Sequence, residues 1–213
     1  MSQSGIKIAL QGAGKRYLRD WIFKNIEMSF LPGSSWAITG ANGSGKSTLL
    51  QCLSGYQSLS AGSRHYEQGQ QAIAEDSLFK HISIVTPYLE LPEGYSLQEM
   101  LDFHFSIKPA HPDFNRDQWV YDAGLQKHLH KEIHQYSSGM KQRVKLLLAF
   151  GSHTPLLFLD EPTTNLDKAG FEWYDHLLQR WLLQPHATVF VASNQAHEYA
   201  RCQNEISIEN HKA

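Results

Sequence analysis

The chain has 213 residues and a formal net charge of −2, from 19 Lys+Arg against 21 Asp+Glu. With 41% hydrophobic and 19% charged residues it can bury the core of one medium-sized domain, which excludes a disordered polymer. It has no run of five or six like charges, so a broad basic face for nucleic acid is not expected, and Cys52 and Cys202, 150 positions apart, exclude a disulfide framework or cysteine-rich zinc site and fit a reducing cytosol.

In chain order, the first stretch, MSQSGIKIAL, holds no long apolar run with a cleavage site, so no signal peptide is expected. Alternation and β-branched runs predict strands at Ile6–Leu10, Ile22–Phe30 and Ser35–Thr39. Gly12-Ala-Gly14-Lys15-Arg16 imitates a fragment of a phosphate loop but lacks its spacing and hydroxyl, and is expected to be a turn after the first strand. A helix over Ser47–Ser54 and strands at Gly62–Glu67 and Ile82–Val85 follow. From about Glu93 to Lys145 strand signals give way to helical, aromatic and histidine-rich text broken by Pro109 and Pro112. Strand and helix then alternate again: Leu156–Asp160, Ala169–Leu183, Thr188–Ala192 and Glu205–Ile208. The pattern predicts an α/β domain with a helical insertion. No window approaches 18 consecutive apolar residues, so a membrane role would need a partner.

Gly40-Ala-Asn42-Gly43-Ser44-Gly45-Lys46-Ser47 fits G-x-x-x-x-G-K-[ST], between the apolar run Trp36–Thr39 and the helical start Thr48-Leu-Leu. Glycines allow a tight turn that aims N–H groups at phosphate oxygens, and a helix N-terminus favours anions. Lys46 is placed to reach β- and γ-phosphates and the Ser47 hydroxyl to ligate Mg²⁺. Leu156-Leu-Phe-Leu-Asp160-Glu161 reads as a fully buried parallel strand ending in two carboxylates. Ligands of open α/β sheets bind at such strand ends, so Asp160 is a candidate Mg²⁺ holder and Glu161 a candidate to orient or polarise water.

Between these motifs lies Tyr136-Ser137-Ser138-Gly139-Met140, which resembles the Leu-Ser-Gly-Gly-Gln signature of ATP-binding cassette (ABC) ATPases at Ser137 and Gly139. It stands after the phosphate loop and 16 residues before LLFLDEPTTNLD, whose Pro162–Asp167 stretch is similar to the family's dimer-contacting loop. The resemblance covers essentially the whole chain. It implies a phosphate-loop NTPase core, RecA-like, with an antiparallel β subdomain and an inserted helical subdomain: core 1–92 and 146–213, insertion about 93–145. No guanine-reading Asn-Lys-x-Asp motif is present.

The resemblance also implies a mechanism. Two cassettes pair head to tail with two ATP molecules between them, each touching one subunit's phosphate loop and the other's Ser137 and Gly139. Hydrolysis releases the pair, and differential binding moves a partner. The implied cofactors are ATP and Mg²⁺. The implied partners are a second, identical cassette and an integral membrane permease subunit, with the chain on the cytoplasmic face of the membrane. The family's adenine platform falls on Tyr17, with Trp21 as a rival. The short chain resembles the compact cassettes of haem-export and cytochrome c biogenesis systems.

Two family positions differ. The glutamine expected after Ile82-Ser-Ile-Val85 is absent: Pro87 or Tyr88 occupies that slot, and Gln98 lies too far along. The switch histidine after Thr188–Ala192 is replaced by Asn194, with His197 three residues on. Asparagine can donate a hydrogen bond but carries no charge and shuttles no proton. Catalysis therefore rests on Glu161, Lys46 and Asn194, with hydrolysis expected to be slow. Two other readings remain open: a regulatory, weakly hydrolysing ABC module, and a soluble ABC ATPase outside transport.

His130 and His134, four apart and near His128, would share a helix face, a spacing weighed as a metal pair and set aside as solvated surface. Tyr95, Phe103, Phe105, Phe114, Trp119 and Tyr121 are expected to build a small helical core. By family analogy some of them, with Pro87–Pro92, also form a groove for a helix of the membrane subunit.

Overall fold

A computed structural model describes residues 5–212. Residues 1–4, the start of the stretch read for a signal peptide, lie outside the described residues. Strands β1 (Ile6–Tyr17), β2 (Asp20–Phe30), β4 (Ala61–Gln68) and β5 (Gln71–Ala72) form an antiparallel sheet in the order β2-β1-β4-β5. Strands β3 (Ser35–Thr39), β6 (Ile82–Val85), β7 (Leu156–Asp160), β8 (Thr188–Ala192) and β9 (Asn204–Ser207) form a parallel sheet in the order β6-β7-β8-β3-β9.

The central strands are buried on both faces, and their side chains divide with period two. Phe158 and Phe190 face the antiparallel sheet and α1 (Lys46–Leu53), where their rings stack 5.1 Å apart. Leu157, Leu159, Val189 and Val191 face the opposite core under α4 (Ser138–Gly151) and α5 (Lys168–Leu182). Each such side chain stabilises the fold by roughly 1.5–3 kcal/mol.

A third core joins α2 (Leu97–Ile107), α3 (Arg116–Asp122) and α4. Ser96 caps α2 through a capping box with Glu99. Helix α4 serves two cores: Leu146, Ala149 and Phe150 pack on the sheet, while Val144, Leu147 and Leu148 pack on α2 and α3. It thus fastens the helical lobe to the parallel sheet.

Two expectations are corrected. Gly12–Arg16 is not a turn after the first strand. It lies inside β1, where register shifts between Leu10 and Ala13 and between Ala13 and Lys15 absorb the glycines as bulges. His130 and His134 share no helix face: His134 is in the 3₁₀ turn Ile133–Gln135, whereas His130 lies in the irregular link between it and the 3₁₀ turn Gln126–His128, and His134 pairs with Glu132 at 3.0 Å. Among the described residues, no helix is long and apolar enough to cross a membrane.

Candidate functional site

Parallel strands with matched register bring their carboxyl ends to one edge. Asp160 pairs with Ala192, and Ile38 also pairs with Ala192, so β7, β8 and β3 end level with one another. From that edge emerge the loop Gly40–Gly45, the acidic pair Asp160–Glu161 and the Ser193–Asn194 turn. Ser193 N–H donates to the Ile38 carbonyl at 3.2 Å, binding the last of these to the strand that feeds the loop.

The loop wraps onto α1 through Gly45, whose φ of +109° is open only to glycine. A Cβ there would come within 2.2 Å of Ile22 Cγ2, so β2 presses against the loop from the antiparallel sheet. Lys46 is buried, and its Nζ donates to the Gly40 and Ala41 carbonyls at 3.0 Å each. Gly43 lies on the exposed rim, Ser44 Oγ is buried without a hydrogen-bond partner, and Thr48 follows in the first turn of α1. Ser47 Oγ donates to Asp160 Oδ1 at 2.9 Å across 113 residues of sequence. Asp160 is 1% exposed and its Oδ2 has no partner. Burial pushes its carboxyl up to about 6, against the pull of the Ser47 hydrogen bond.

Glu161 sits at φ +44°, a left-handed conformation that costs a non-glycine residue roughly 1–2 kcal/mol. Its N–H donates to the Ala192 carbonyl at 2.9 Å, which holds the residue there. Asn194 Nδ2 donates to Asn42 Oδ1 at 2.7 Å, placing the switch position directly on the phosphate loop. His197 lies exposed on a 3₁₀ turn, its ring 5.0 Å from that of Phe171.

Ser137 and Gly139 are set apart from this cluster. Ser137 caps α4 by accepting from the Met140 N–H, and a Cβ at Gly139 would lie 2.6 Å from the Asn165 carbonyl oxygen. The signature therefore rests on the Pro162–Asp167 loop. Beside it, Ser138, Lys141 and Lys145 share a cleft of about 400 Å³ with Pro87, Leu91 and Asn165. Lys145 Nζ reaches the Thr86 and Pro87 carbonyls, so the segment that lacks its glutamine is held from α4. Tyr88 is 78% exposed.

Tyr17 is 46% exposed at the end of β1, with its hydroxyl on Gln57 Oε1 at 2.6 Å. Trp21, its rival, lies against β1 under the Arg16 guanidinium and packs on Gly14. Of the six lobe aromatics, Trp119 is buried and Phe105 and Phe114 pack at its core edge, whereas Tyr95, Phe103 and Tyr121 are exposed. Sequence reasoning missed Glu198, a fully buried acid that accepts from Thr163, and Lys145. Neither belongs to a motif, and only long-range packing identifies them.

The sequence matches the ABC transporter family over residues 23–164. It is 30% identical over 189 residues to the uncharacterized ABC transporter ATP-binding protein YdbJ of Bacillus subtilis, covering 85% of this chain and 59% of that protein. It thus spans less than two thirds of that relative's length. It is 31% identical over 147 residues to the cytochrome c biogenesis ATP-binding export protein CcmA of Xylella fastidiosa, covering 69% of this chain and 68% of that one. In fold it is similar to the dimeric ATP-binding cassette MJ0796 bound to ADP and Pi, with a TM-score of 0.79 at 21% identity over 94% of this chain and 93% of that one. The motif order, the two-sheet architecture and these likenesses agree, and the chain belongs to the ABC transporter family as an ATP-binding cassette.

Proposed function

We propose that the chain binds and hydrolyses MgATP, that two copies pair around the nucleotide, and that the cycle drives transport through a separate membrane permease. The observation that carries this is the Ser47–Asp160 hydrogen bond, which joins the phosphate loop to the acidic strand end. The loop N–H groups of Gly40, Asn42, Gly43, Ser44 and Gly45, with Lys46 and Thr48, would bind the phosphates, and Tyr17 would stack on adenine. Ser47 Oγ and the unpartnered Asp160 Oδ2 are hard oxygen donors suited to Mg²⁺. The ion, when bound, neutralises phosphate charge. Glu161, held by its backbone, orients the attacking water, and Asn194 donates a hydrogen bond to the γ-phosphate. Ser137 and Gly139 would serve the partner copy's ATP from the N-terminus of α4.

In this reading the core is residues 1–92 and 146–213 and the inserted lobe about 93–145, the chain is peripheral on the cytoplasmic face, and no nucleic acid is bound. The name of the CcmA relative supports an export role. A second reading, a weakly hydrolysing regulatory module, is favoured by Asn194 in the histidine slot and by Pro87/Tyr88 in the glutamine slot. A soluble ABC ATPase outside transport is the third.

Steady-state hydrolysis of wild type against Glu161→Gln separates the first two. Wild type at least about a hundredfold faster is expected, and equal rates would leave the regulatory reading. Co-purification from membranes with an integral partner is expected for a transporter cassette, and its failure would favour the soluble ATPase.

A further inference from the structure

Glu198 is 0% exposed and lies four positions beyond Asn194. Its Oε1 accepts the Thr163 backbone N–H at 2.9 Å and also the Thr163 hydroxyl. Its Oε2 is buried with no hydrogen-bond partner. The Glu198 carbonyl accepts from the Tyr174 hydroxyl of α5 at 2.8 Å, and its N–H donates to the Gln195 carbonyl at 3.0 Å. An acid buried with one oxygen unmet is costly to keep if its only task is to fill space. What it does here, and an apolar side chain could not, is grip a backbone N–H two residues after Glu161.

That grip is the second of two. The loop leaving β7 is tied to the β8 exit at Glu161, whose N–H donates to Ala192 at 2.9 Å, and again at Thr163 through Glu198. Asn194 lies between the two tethers. On its other side the same loop is held by Gln142 Nε2, which donates to the Pro162 carbonyl at 2.7 Å. The strained backbone of Glu161 persists only if its surroundings over-determine it, and Glu198 supplies one of those constraints.

We propose that Glu198 is a positioning residue for hydrolysis: its carboxylate fixes the Glu161–Thr163 backbone relative to Asn194, so that the two act as one unit. This rests on the ATPase reading above. The test is steady-state MgATP hydrolysis by the full chain, normalised to ATP-binding stoichiometry, for wild type, Glu198→Gln, Glu198→Ala and Thr163→Val. Glu198→Gln keeps the Oε1 acceptor and should stay within about threefold of wild type. Glu198→Ala should lower kcat per ATP-binding site roughly tenfold or more while KM moves less than about twofold; counting per bound site removes the contribution of any unfolded fraction. If Glu198→Ala does not fold, Thr163→Val decides: it removes the hydroxyl donor to Oε1 while keeping the backbone one, and should lower kcat per ATP-binding site severalfold at unchanged KM. A folded Glu198→Ala with wild-type kcat, a Glu198→Gln as slow as Glu198→Ala, or a Thr163→Val with wild-type kcat overturns the proposal. A wild type that binds ATP without hydrolysing it would instead overturn the underlying ATPase reading, and this inference with it.

Discussion

Asn194 Nδ2 donates to Asn42 Oδ1 at 2.7 Å, so the residue in the switch slot is bonded to the third residue of the phosphate loop. A neutral carboxamide at this point can hold the loop and donate one hydrogen bond, but it adds no positive charge. Asn194→His is expected to raise kcat roughly tenfold by restoring a group that can carry charge and a proton. Asn194→Ala should lower it by about a hundredfold, the usual cost of one donor to developing charge. Single-turnover hydrolysis reads both, and an Asn194→Ala variant as fast as wild type would remove the residue from the catalytic set.

Tyr17 and Trp21 are separated by their surroundings. Tyr17 stands half exposed beside Gln57, whereas Trp21 is engaged with Arg16 and Gly14. Tyr17→Ala should weaken ATP binding roughly tenfold, in line with the loss of one base–aromatic stack, and Tyr17→Phe should restore most of it. Trp21→Ala should cost stability rather than affinity. Titration with a fluorescent ATP analogue distinguishes the two outcomes.

At Gly139 the Asn165 carbonyl oxygen leaves no room for a methyl group, at 2.6 Å from a Cβ. Gly139→Ala must therefore push α4 away from the Pro162–Asp167 loop. A loss of roughly 1–3 kcal/mol in stability is expected. ATP-dependent pairing should also fall, measured by light scattering in a Glu161→Gln background. Unchanged stability and pairing would show that this contact is not a constraint.

His104 on α2 is held neutral. Burial lowers its ring to about 4, Lys108 adds to the shift, and Nε2 meets Ser152 Oγ at 2.7 Å. The unfolded ring takes up its proton near 6.5, so the folded state binds fewer protons between 6.5 and 4. The stability tied to this group is complete above pH 6.5 and is lost as pH falls through that window. Denaturant titrations should show the wild type losing roughly 2 kcal/mol more than His104→Gln between pH 7.5 and 4.5. Parallel pH profiles would disprove the assignment.

The parallel strands were legible because burial on both faces leaves continuous apolar runs. Leu156–Asp160 and Thr188–Ala192, buried throughout, coincide with the strands found, as do Ser35–Thr39 and the edge strand Ile82–Val85, whose isoleucines are only half-buried. Gly12–Arg16 misled because glycines that mark turns also mark bulges, and only pairing with both β2 and β4 shows which they are. The shared helix face expected of His130 and His134 is absent because His128–His134 has no apolar periodicity to carry a helix, and the chain closes into tight turns.

The phosphate loop and the acidic strand end were determined by the sequence alone, since each is encoded by a few adjacent residues. Glycines permit the turn, and an apolar run demands burial up to its first carboxylate. That Ser47 meets Asp160, Asn42 meets Asn194 and Thr163 meets Glu198 was decided only by the tertiary structure. These pairs are 113, 152 and 35 residues apart. Their meeting depends on β3 lying between β8 and β9, with β7 beside β8, a non-local order that no local spacing records.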